Sequence, residues 1–485
     1  MNFKPVFHVI AWLLGVVGLL MGFCGLVASL YHDPASATRA LGLSAAGTLA
    51  AAAVLWALTR NDQELSRRDG LGVVAFGWLF AGLAGAAPFV LSGVIASPVA
   101  AVFETVSGMT TTGASVIPVL EDVPKGILLW RALTQFIGGM GVLILVVAIL
   151  PFAGAGGMQL FRAEMPGPSK DRIEPRVAST AKMLWGVYVV LTVLLIFLLR
   201  LGGVDWFDAT CHAFATMATG GFSTRTASLA AFHSAYVEGL VAVFMLLAGV
   251  NFALHYRVLR GEVASWWRDA EVRFLLGAFL GAALVGTWGL HHARAAAGLG
   301  WSAAFREVSF TCASLMTTTG FVTGDYDQWP ALLKAMLVVL MLMGGCAGST
   351  AGGIKIGRVQ VLCKAIAREV RLFMQPQAVI PVRLGRKPLG DDILLAILGF
   401  VALYLLVVLA GALAMVPFAP DFATAASAAI TCVGNVGPGF AAVGPMLNYA
   451  SVPEGGQAVL TALMLIGRLE LYTVLAVFIP AFWRK

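Results

Sequence analysis

Four short peptides in this 485-residue chain place a threonine or an asparagine two residues before a glycine. The four glycines are separated by 108, 99 and 117 residues. Rings of backbone carbonyl oxygens can replace the water shell of a cation without placing full charges around it. Glycine suits such a ring because it adopts backbone conformations that residues with a Cβ resist. The four peptides therefore predict a cation-coordinating ring built from four loops.

Three consecutive residues of each peptide are our candidates for the coordinating layer. They are Thr111, Thr112, Gly113, Thr219, Gly220, Gly221, Thr318, Thr319, Gly320, Asn435, Val436 and Gly437. The threonine hydroxyls can add one more layer of oxygen at the inner mouth. A single such peptide is also compatible with a helix-packing glycine beside a helix-end turn. Four copies in register are better explained by a repeated unit.

A second series of glycines follows the first in the same order. Gly139, Gly249, Gly345 and Gly467 come 26, 28, 25 and 30 residues after the loop glycines. Small residues let membrane helices approach one another closely. We expect these positions to be close contacts made by four equivalent helices.

Residues 344–353 interrupt a long apolar segment with five glycines in ten residues. In a continuous helix each glycine would cost about 1 kcal/mol relative to alanine. We therefore predict an unwound segment at membrane depth that acts as a gate beneath the four loops; a kink for helix packing is the alternative. The gate candidates are Gly344, Gly345, Gly348, Ser349, Thr350, Gly352, Gly353 and Lys355.

Arg468 lies near the middle of the last apolar span. A charge there needs a partner, backbone carbonyls or a water-filled cavity, because lipid does not solvate it. Glu470 is an unlikely partner, since residues two apart face different sides of a helix. We predict that the positive charge repels or paces a cation below the ring; ion pairing across helices is the alternative.

The composition places these peptides in a membrane. Hydrophobic residues make up 59% of the chain and charged residues 12%, in repeated apolar runs of the length that a bilayer selects. The net charge of +7 does not indicate nucleic acid, because 23 of the 32 basic residues lie in alternate connections. That bias follows the positive-inside rule and predicts two cytoplasmic termini. The apolar segments carry no catalytic cluster, so an enzyme is not predicted.

The elements that position the loops repeat as well. Each unit reads as a span, a short helix too short to cross, a polar loop and a second span. We predict an all-α polytopic membrane protein with four membrane–pore-loop–membrane repeats around a central pore, after an N-terminal two-helix hairpin. The predicted boundaries are 1–65 for the hairpin and 66–165, 166–262, 263–388 and 389–485 for the repeats.

Several motifs together resemble the Trk/Ktr/HKT superfamily of potassium transporters, and most closely its bacterial Trk-type potassium-uptake membrane subunits. The N-terminal hairpin, which the Ktr type lacks, supports the same assignment. The motifs are residues 107–114, 219–224, 348–355, 435–439 and 467–470.

The resemblance implies that K⁺ is the transported ion, with no organic cofactor, in the bacterial cytoplasmic membrane. It implies a homodimer in membrane lipid and a cytoplasmic ring of nucleotide-binding regulatory subunits that opens the gate. Gly113, Gly221, Gly320 and Gly437 would form the filter, residues 344–353 the gate, and Arg468 an ionic barrier. Ala351 stands where the family often has glycine. A sodium- or proton-coupled symporter on the same scaffold remains an alternative.

Overall fold

The computed structural model describes residues 2–60, 66–149, 177–385 and 387–483, and these form a bundle of α-helices. A two-residue antiparallel strand pair, Arg383–Leu384 with Lys387–Pro388, lies between two of the helices. The helices are α1 (Phe3–Leu30), α2 (Ala35–Thr59), α3 (Arg67–Ser92), α4 (Pro98–Met109), α5 (Lys125–Ile149), α6 (Val177–Leu201), α7 (Trp206–Met217), α8 (Ala235–Ala248), α9 (Phe252–Leu259), α10 (Ala264–Arg268), α11 (Ala270–Arg294), α12 (Trp301–Met316), α13 (Ala331–Leu342), α14 (Ile356–Met374), α15 (Asp391–Met415), α16 (Phe422–Gly434), α17 (Glu454–Arg468), α18 (Tyr472–Phe478) and α19 (Pro480–Trp483).

Helices α1 and α2 form the predicted N-terminal hairpin, which packs against α3 and the N-terminal end of α5. The backbone N–H of Gly126 donates to Asp33 Oδ2 at 2.7 Å, and the Lys125 ammonium lies 4.2 Å from the centre of the Tyr31 ring. These contacts fix the turn of the hairpin to the first repeat.

The remaining helices form four repeats, each with a first span, a short helix, a loop and a second span. In the described part of the chain, six helices are long and apolar enough to cross a membrane, and eight qualify if each of two bent pairs counts as one span. Helices α4, α7, α12 and α16 are the short ones, and we call them the loop helices. At 1.5 Å per residue they are about 18 to 24 Å long, which is less than the roughly 30 Å of a bilayer core.

Polar caps begin three of the four loop helices, where a side-chain oxygen accepts from a free backbone N–H of the first turn. The Ser97 hydroxyl accepts from the N–H of Ala100 at 3.3 Å, and Asp421 accepts from the N–H of Thr424 at 2.8 Å. Asp205 caps α7 in the same way. The first residue of each capped helix is exposed, and the later residues are mostly buried, so the caps close the exposed starts of otherwise buried helices.

Two second spans are broken in the structure, although the apolar runs of residues 235–255 and 457–482 favour continuous helices. The chain bends by 102° between α8 and α9 and by 115° between α17 and α18. Asn251 caps the start of α9, and Glu470 adopts a left-handed backbone with φ of 52°. Both breaks adjoin residues 344–353 or the helix that follows them, as described below.

The predicted repeat boundaries stay predictions. The boundary between residues 165 and 166 lies outside the described residues, and so do the basic residues between Arg162 and Arg176.

Candidate ion-coordinating ring and the segment beneath it

The four loops, residues 110–113, 218–221, 317–320 and 434–437, share one backbone path. Thr111, Thr219, Thr318 and Asn435 have φ values of 53°, 54°, 55° and 54°. The loop glycines have φ values of 80°, 74°, 82° and 94°. Left-handed backbone is rare for a residue with a Cβ, and most of all for a β-branched one. Its occurrence at the equivalent position of all four loops shows that one strained turn has been repeated.

Hydrogen bonds at the ends of the loop helices explain how that turn is held. In each loop an N–H two or three residues past the last helical residue donates to a carbonyl five residues earlier, which is the Schellman pattern. The four N–H to O distances are all 2.8 Å: Thr112 to Ser107, Gly220 to Ala215, Thr319 to Ser314 and Val436 to Thr431.

The loops touch one another in cyclic order. A Cβ added to Gly113 would collide with the carbonyl oxygen of Gly220 in the second loop, and one on Gly221 would collide with that of Thr319 in the third. A Cβ on Gly320 would meet the carbonyl oxygen of Val436, and one on Gly437 that of Thr112. The fourth loop therefore closes on the first. These twelve predicted residues form a ring in which each loop presents a carbonyl oxygen to its neighbour.

A second ring of hydrogen bonds joins the same neighbours further along the chain. Its members are Leu120 N to Thr226 Oγ1 (2.9 Å), Val322 N to Ser228 Oγ (3.3 Å), Ala441 N to Asp327 Oδ2 (3.0 Å) and Tyr449 N to Ser115 O (2.8 Å). They connect loops one and two, two and three, three and four, and four and one. The connections after the loops thus hold the ring closed.

Glu121 strengthens the first of these links by accepting from both the N–H and the hydroxyl of Thr226. Burial by itself raises the pKa of the Glu121 carboxyl. The hydrogen bonds from Thr226 and the charge of Arg225 outweigh that effect, so the pKa lies below its usual value.

Side-chain oxygens lie on the face of the ring that meets residues 344–353, and we call this face the inner side. Thr112 Oγ1 lies 2.8 Å from Thr110 Oγ1 and accepts from Asn435 Nδ2 at 3.0 Å, which ties loop four to loop one. Thr111 Oγ1 and Asn435 Oδ1 are buried and have no hydrogen-bond partner within the described residues. An unsatisfied buried oxygen costs about 1 to 3 kcal/mol. The ring therefore retains oxygen atoms that a cation or a water molecule would satisfy.

Residues 344–353 are non-helical, as the sequence predicts, and lie directly against this inner side. The N–H of Gly352 donates to Thr318 Oγ1 at 2.7 Å, and the Thr350 hydroxyl donates to the carbonyl of Met217 at 3.0 Å. A Cβ on Gly352 would lie 2.5 Å from the carbonyl oxygen of Gly434. The segment thus contacts the inner ends of loops two, three and four.

The other end of the segment is anchored at the break between α8 and α9. The N–H of Cys346 donates to the carbonyl of Gly249 at 2.8 Å, and the N–H of Phe252 donates to the carbonyl of Gly348 at 3.1 Å. These bonds use backbone groups that a continuous helix would have kept for itself, which explains why the second span of repeat two is broken.

The remaining gate candidates bind the start of the segment to the residues that directly follow it. The N–H of Gly344 donates to the carbonyl of Ile354 at 2.6 Å, and the carbonyl of Gly345 accepts from the N–H of Ile356 at 3.0 Å. Lys355 Nζ donates to the carbonyl of Ala351 at 2.8 Å. The buried Ser349 hydroxyl donates to the carbonyl of Cys346 at 2.7 Å, and the half-buried Gly353 lies against Gly344. All eight predicted gate residues therefore belong to one compact structure.

Arg468 reaches this segment from the end of α17. One guanidinium N–H donates to the carbonyl of Thr350 at 2.7 Å, and another donates to the carbonyl of Gly138 at 3.3 Å. Glu470 instead binds Arg358 at 2.9 Å, so the expectation that it does not partner Arg468 is confirmed. The arginine is solvated by carbonyls rather than paired with an acid in the described structure.

Three members of the second glycine series make the predicted close contacts, whereas Gly345 lies in the non-helical segment, where an added Cβ would lie 2.6 Å from the carbonyl oxygen of Gly249. A Cβ on Gly139 would lie 2.8 Å from Ala218 Cα, and one on Gly249 would lie 3.0 Å from Thr317 Cγ2. A Cβ on Gly467 would collide with the carbonyl oxygen of Val433 at the end of α16. These glycines let the second spans press on the helix ends that carry the loops.

Comparison with known proteins agrees with this arrangement. A family model for TrkH, described as a cation transport protein, matches residues 42–278 and 292–485. This chain belongs to the TrkH family. The Trk system potassium uptake protein TrkH of Escherichia coli K12 is 39% identical over the full length of both chains, and that of Halomonas elongata is 37% identical, also over the full length of both. The crystal structure of the potassium transporter TrkH from Vibrio parahaemolyticus superposes with a TM-score of 0.91 at 34% identity and covers both chains completely.

Membership of the TrkH family confirms the predicted family, the all-α polytopic fold and the non-enzymatic class. The chain is a multi-pass transport protein of the membrane. The similarity extends over the N-terminal hairpin as well as the four repeats, since both comparisons cover the whole chain.

Sequence reasoning missed three polar side chains that contact the loops or the segment beneath them. Gln135 Nε2 donates to the carbonyl of Gly220 at 2.6 Å, and its Oε1 accepts from the N–H of Phe222 at 3.1 Å. Glu271 Oε2 accepts from the N–H of Ala347 at 2.8 Å. Arg131, one turn before Gln135 on α5, is buried beside loops one and two. Two polar residues four apart in an apolar span are a signal that would have found the α5 pair.

Proposed function

We propose that this protein takes up K⁺ across the cytoplasmic membrane and that its four loops are the selectivity filter. The observation that supports this most is the cyclic contact in which each loop glycine lies against a carbonyl oxygen of the next loop. The relatives named above are potassium uptake proteins, which agrees with K⁺ as the transported ion.

The proposed filter works by exchanging water for protein oxygen. A dehydrated cation in the ring is surrounded by peptide dipoles instead of full charges, so it binds firmly enough to enter and weakly enough to leave. The loop helices end at the loops, and their carbonyl ends carry partial negative charge that favours a cation. The membrane potential supplies about 2.3 kcal/mol per charge for each 100 mV, which is enough to drive uptake.

In the same proposal, residues 344–353 are the gate. The segment is buried against loops two, three and four, so an ion that leaves the ring inward meets it first. Opening then requires breaking identified bonds, among them Gly352 N–H to Thr318 Oγ1 and Thr350 hydroxyl to Met217 O. The four glycines in the segment's two Gly-Gly pairs make such a rearrangement sterically feasible.

Arg468 is proposed as the ionic barrier of the closed state. Its guanidinium is bound to the gate at Thr350 and to the second span of repeat one at Gly138. The positive charge therefore lies on the inward side of the ring, where it opposes a cation. Movement of the gate would remove the Thr350 carbonyl, one of the two carbonyl partners of Arg468, and would free the arginine side chain to move.

The assembly and orientation are also part of the proposal. We place both termini in the cytoplasm, where a ring of nucleotide-binding regulatory subunits would act on the gate through α14, which follows it directly. A homodimer in the lipid bilayer and the repeat boundaries at residues 66–165, 166–262, 263–388 and 389–485 belong to the same hypothesis.

The test is rubidium flux into liposomes that contain the purified full-length protein. We expect uptake that follows the membrane potential and persists without sodium or a pH gradient. Uptake that requires either gradient at a fixed potential would support a coupled symporter on the same scaffold. A folded protein that moves no rubidium under any of these conditions would contradict the proposed function.

A further inference from the structure

A buried ion pair lies on the outer side of the proposed filter, between repeats one and two. Arg131 Nε on α5 and Glu104 Oε1 on α4 are 2.8 Å apart, and their side chains are 2% and 0% exposed. Such a pair is rarely more stabilising than a well-packed apolar pair, because both charges lose their water. Stability alone therefore does not account for its presence.

The hydrogen bonds of the pair reach the chain that leaves two different loops. Arg131 donates to the carbonyl of Ser223 at 3.0 Å and to the hydroxyl of Ser115 at 3.1 Å. Glu104 accepts from the Ser115 hydroxyl at 3.0 Å and from the N–H of Val116 at 2.8 Å. Ser115 follows Gly113 by two residues, and Ser223 follows Gly221 by two. The pair thus joins equivalent positions of neighbouring loops.

Two further contacts make this junction stiffer. The Arg131 guanidinium carbon lies 4.1 Å from the centre of the Phe222 ring, which restricts its rotation. Gln135, four residues on along the same face of α5, holds the carbonyl of Gly220 and the N–H of Phe222. Helix α5 of repeat one therefore binds loop two and the two residues that follow it, at Gly220, Phe222 and Ser223.

The corresponding contacts at the other loops are made by neutral groups, and one of them, from the N–H of Val322 to Ser228 Oγ at 3.3 Å, also crosses between repeats. His212 Nε2 lies 2.9 Å from Ser223 Oγ, the Ser314 hydroxyl donates to the carbonyl of Phe321 at 2.7 Å, and the Ser427 hydroxyl accepts from the N–H of Phe440 at 3.1 Å. In the part of the chain that the structure describes, a fully buried charged bridge between successive loops occurs at the junction of loops one and two. The ring is therefore braced unequally.

We propose that Arg131 and Glu104 are positioning residues that fix the separation of loops one and two and thereby determine how strongly the filter prefers K⁺ over Na⁺. This inference rests on the proposed function. Na⁺ is smaller than K⁺, so its coordination requires the carbonyl oxygens to move inward. A guanidinium that binds Ser223 and Ser115 at once opposes that movement. The brace does not touch the ion, so its loss changes selectivity more than the flux of the preferred ion.

The test compares rubidium and sodium uptake by full-length variants in liposomes. Arg131→Lys keeps a positive charge opposite Glu104 but lacks the planar fork that binds both loops. We expect its rubidium-to-sodium uptake ratio to fall about tenfold, the effect of losing one hydrogen bond to a charged group, while rubidium uptake stays close to that of the wild type. The matched control is Glu454→Gln, whose carboxylate accepts from Ser97 at 2.6 Å on the exposed surface between repeats four and one. Its ratio should not change.

A second variant covers the case in which Arg131→Lys does not fold. Glu104→Gln with Arg131→Met removes both charges together, which leaves no unpaired charge in the interior. An unchanged ratio in either folded variant would overturn the positioning role. Absence of rubidium uptake by the wild type would instead overturn the proposed function, so the two failures are distinguishable.

Discussion

The ring and the segment beneath it are built in opposite ways. The ring repeats one turn four times, with left-handed φ values within 2° of each other at the residue two before each glycine. Residues 344–353 occur once, in repeat three, and are held by a different set of contacts from repeats two and three and from Arg468. Repetition gives the four loops the same backbone path. In the proposed function, the repeated loops supply equivalent oxygens to the ion, and the unrepeated segment is the element that moves.

The comparison predicts that the ring is equally intolerant of change at all four glycines. Gly320→Ala would place a methyl group against the carbonyl oxygen of Val436 at a φ of 82°, and the same conflict exists at Gly113, Gly221 and Gly437. We expect rubidium uptake to fall about 100-fold or more in each variant, because strain and collision act together.

The control is Gly239→Ala, at a helical position where an added Cβ has no neighbour within 4 Å. Its uptake should equal that of the wild type. A tolerated alanine at any one loop glycine would break the equivalence of the four loops.

The segment beneath the ring should respond in the opposite direction. Arg468→Ala removes the positive charge and the bond to the carbonyl of Thr350, so the closed state loses a charged hydrogen bond. We expect rubidium uptake without any regulatory subunit to rise about tenfold. Arg268→Ala, at an exposed arginine of α10, is the matched control. Unchanged uptake in Arg468→Ala would restrict Arg468 to helix packing.

Two threonines at equivalent ring positions allow the proposed filter and the proposed gate to be tested separately. Thr318 Oγ1 accepts from the N–H of Gly352, whereas Thr111 Oγ1 has no protein partner among the described residues. Valine retains the shape of threonine and removes the hydroxyl. We expect Thr318→Val to raise basal rubidium uptake about fivefold, the value of one neutral hydrogen bond, and Thr111→Val not to raise it. Equal effects in patch-clamp or flux measurements would show that Gly352 does not couple the two regions.

The smallest expected effect is at the outer link between loops one and two. Because the pKa of Glu121 is lowered in the folded protein, its contribution to stability is present above the unfolded value of about 4.3 and is lost as the pH falls through the lower folded value. Glu121→Gln should therefore unfold at a slightly lower temperature than the wild type at pH 7. The difference should shrink as the pH is lowered below 4.3. A difference that grows in acid would contradict the assigned direction.

The features that could be predicted from the sequence alone are those that a repeated or a glycine-rich local pattern determines. The loops were predictable because Thr or Asn two residues before glycine recurs four times, at intervals of 99 to 117 residues. Ser97, Asp205 and Asp421 are residue types that favour helix starts. Residues 344–353 were predictable as non-helical because glycine is costly in a helix.

The breaks after Gly249 and Arg468 were not predictable, because distant residues cause them. The first depends on backbone bonds to Cys346 and Gly348, and the second adjoins the ion pair of Glu470 with Arg358. Neither partner is near in sequence, so local helix preference favoured continuous spans. The brace at Arg131 and Glu104 was missed for the same reason, since its partners lie up to 92 residues away.

The central claim is that the four loops coordinate a dehydrated cation through their own oxygens. The most direct test is the anomalous difference density of rubidium in crystals of the full-length protein. The account predicts a peak in the space enclosed by the four loops, residues 110–113, 218–221, 317–320 and 434–437. Rubidium density elsewhere in a protein that transports rubidium, with none in the ring, would contradict it.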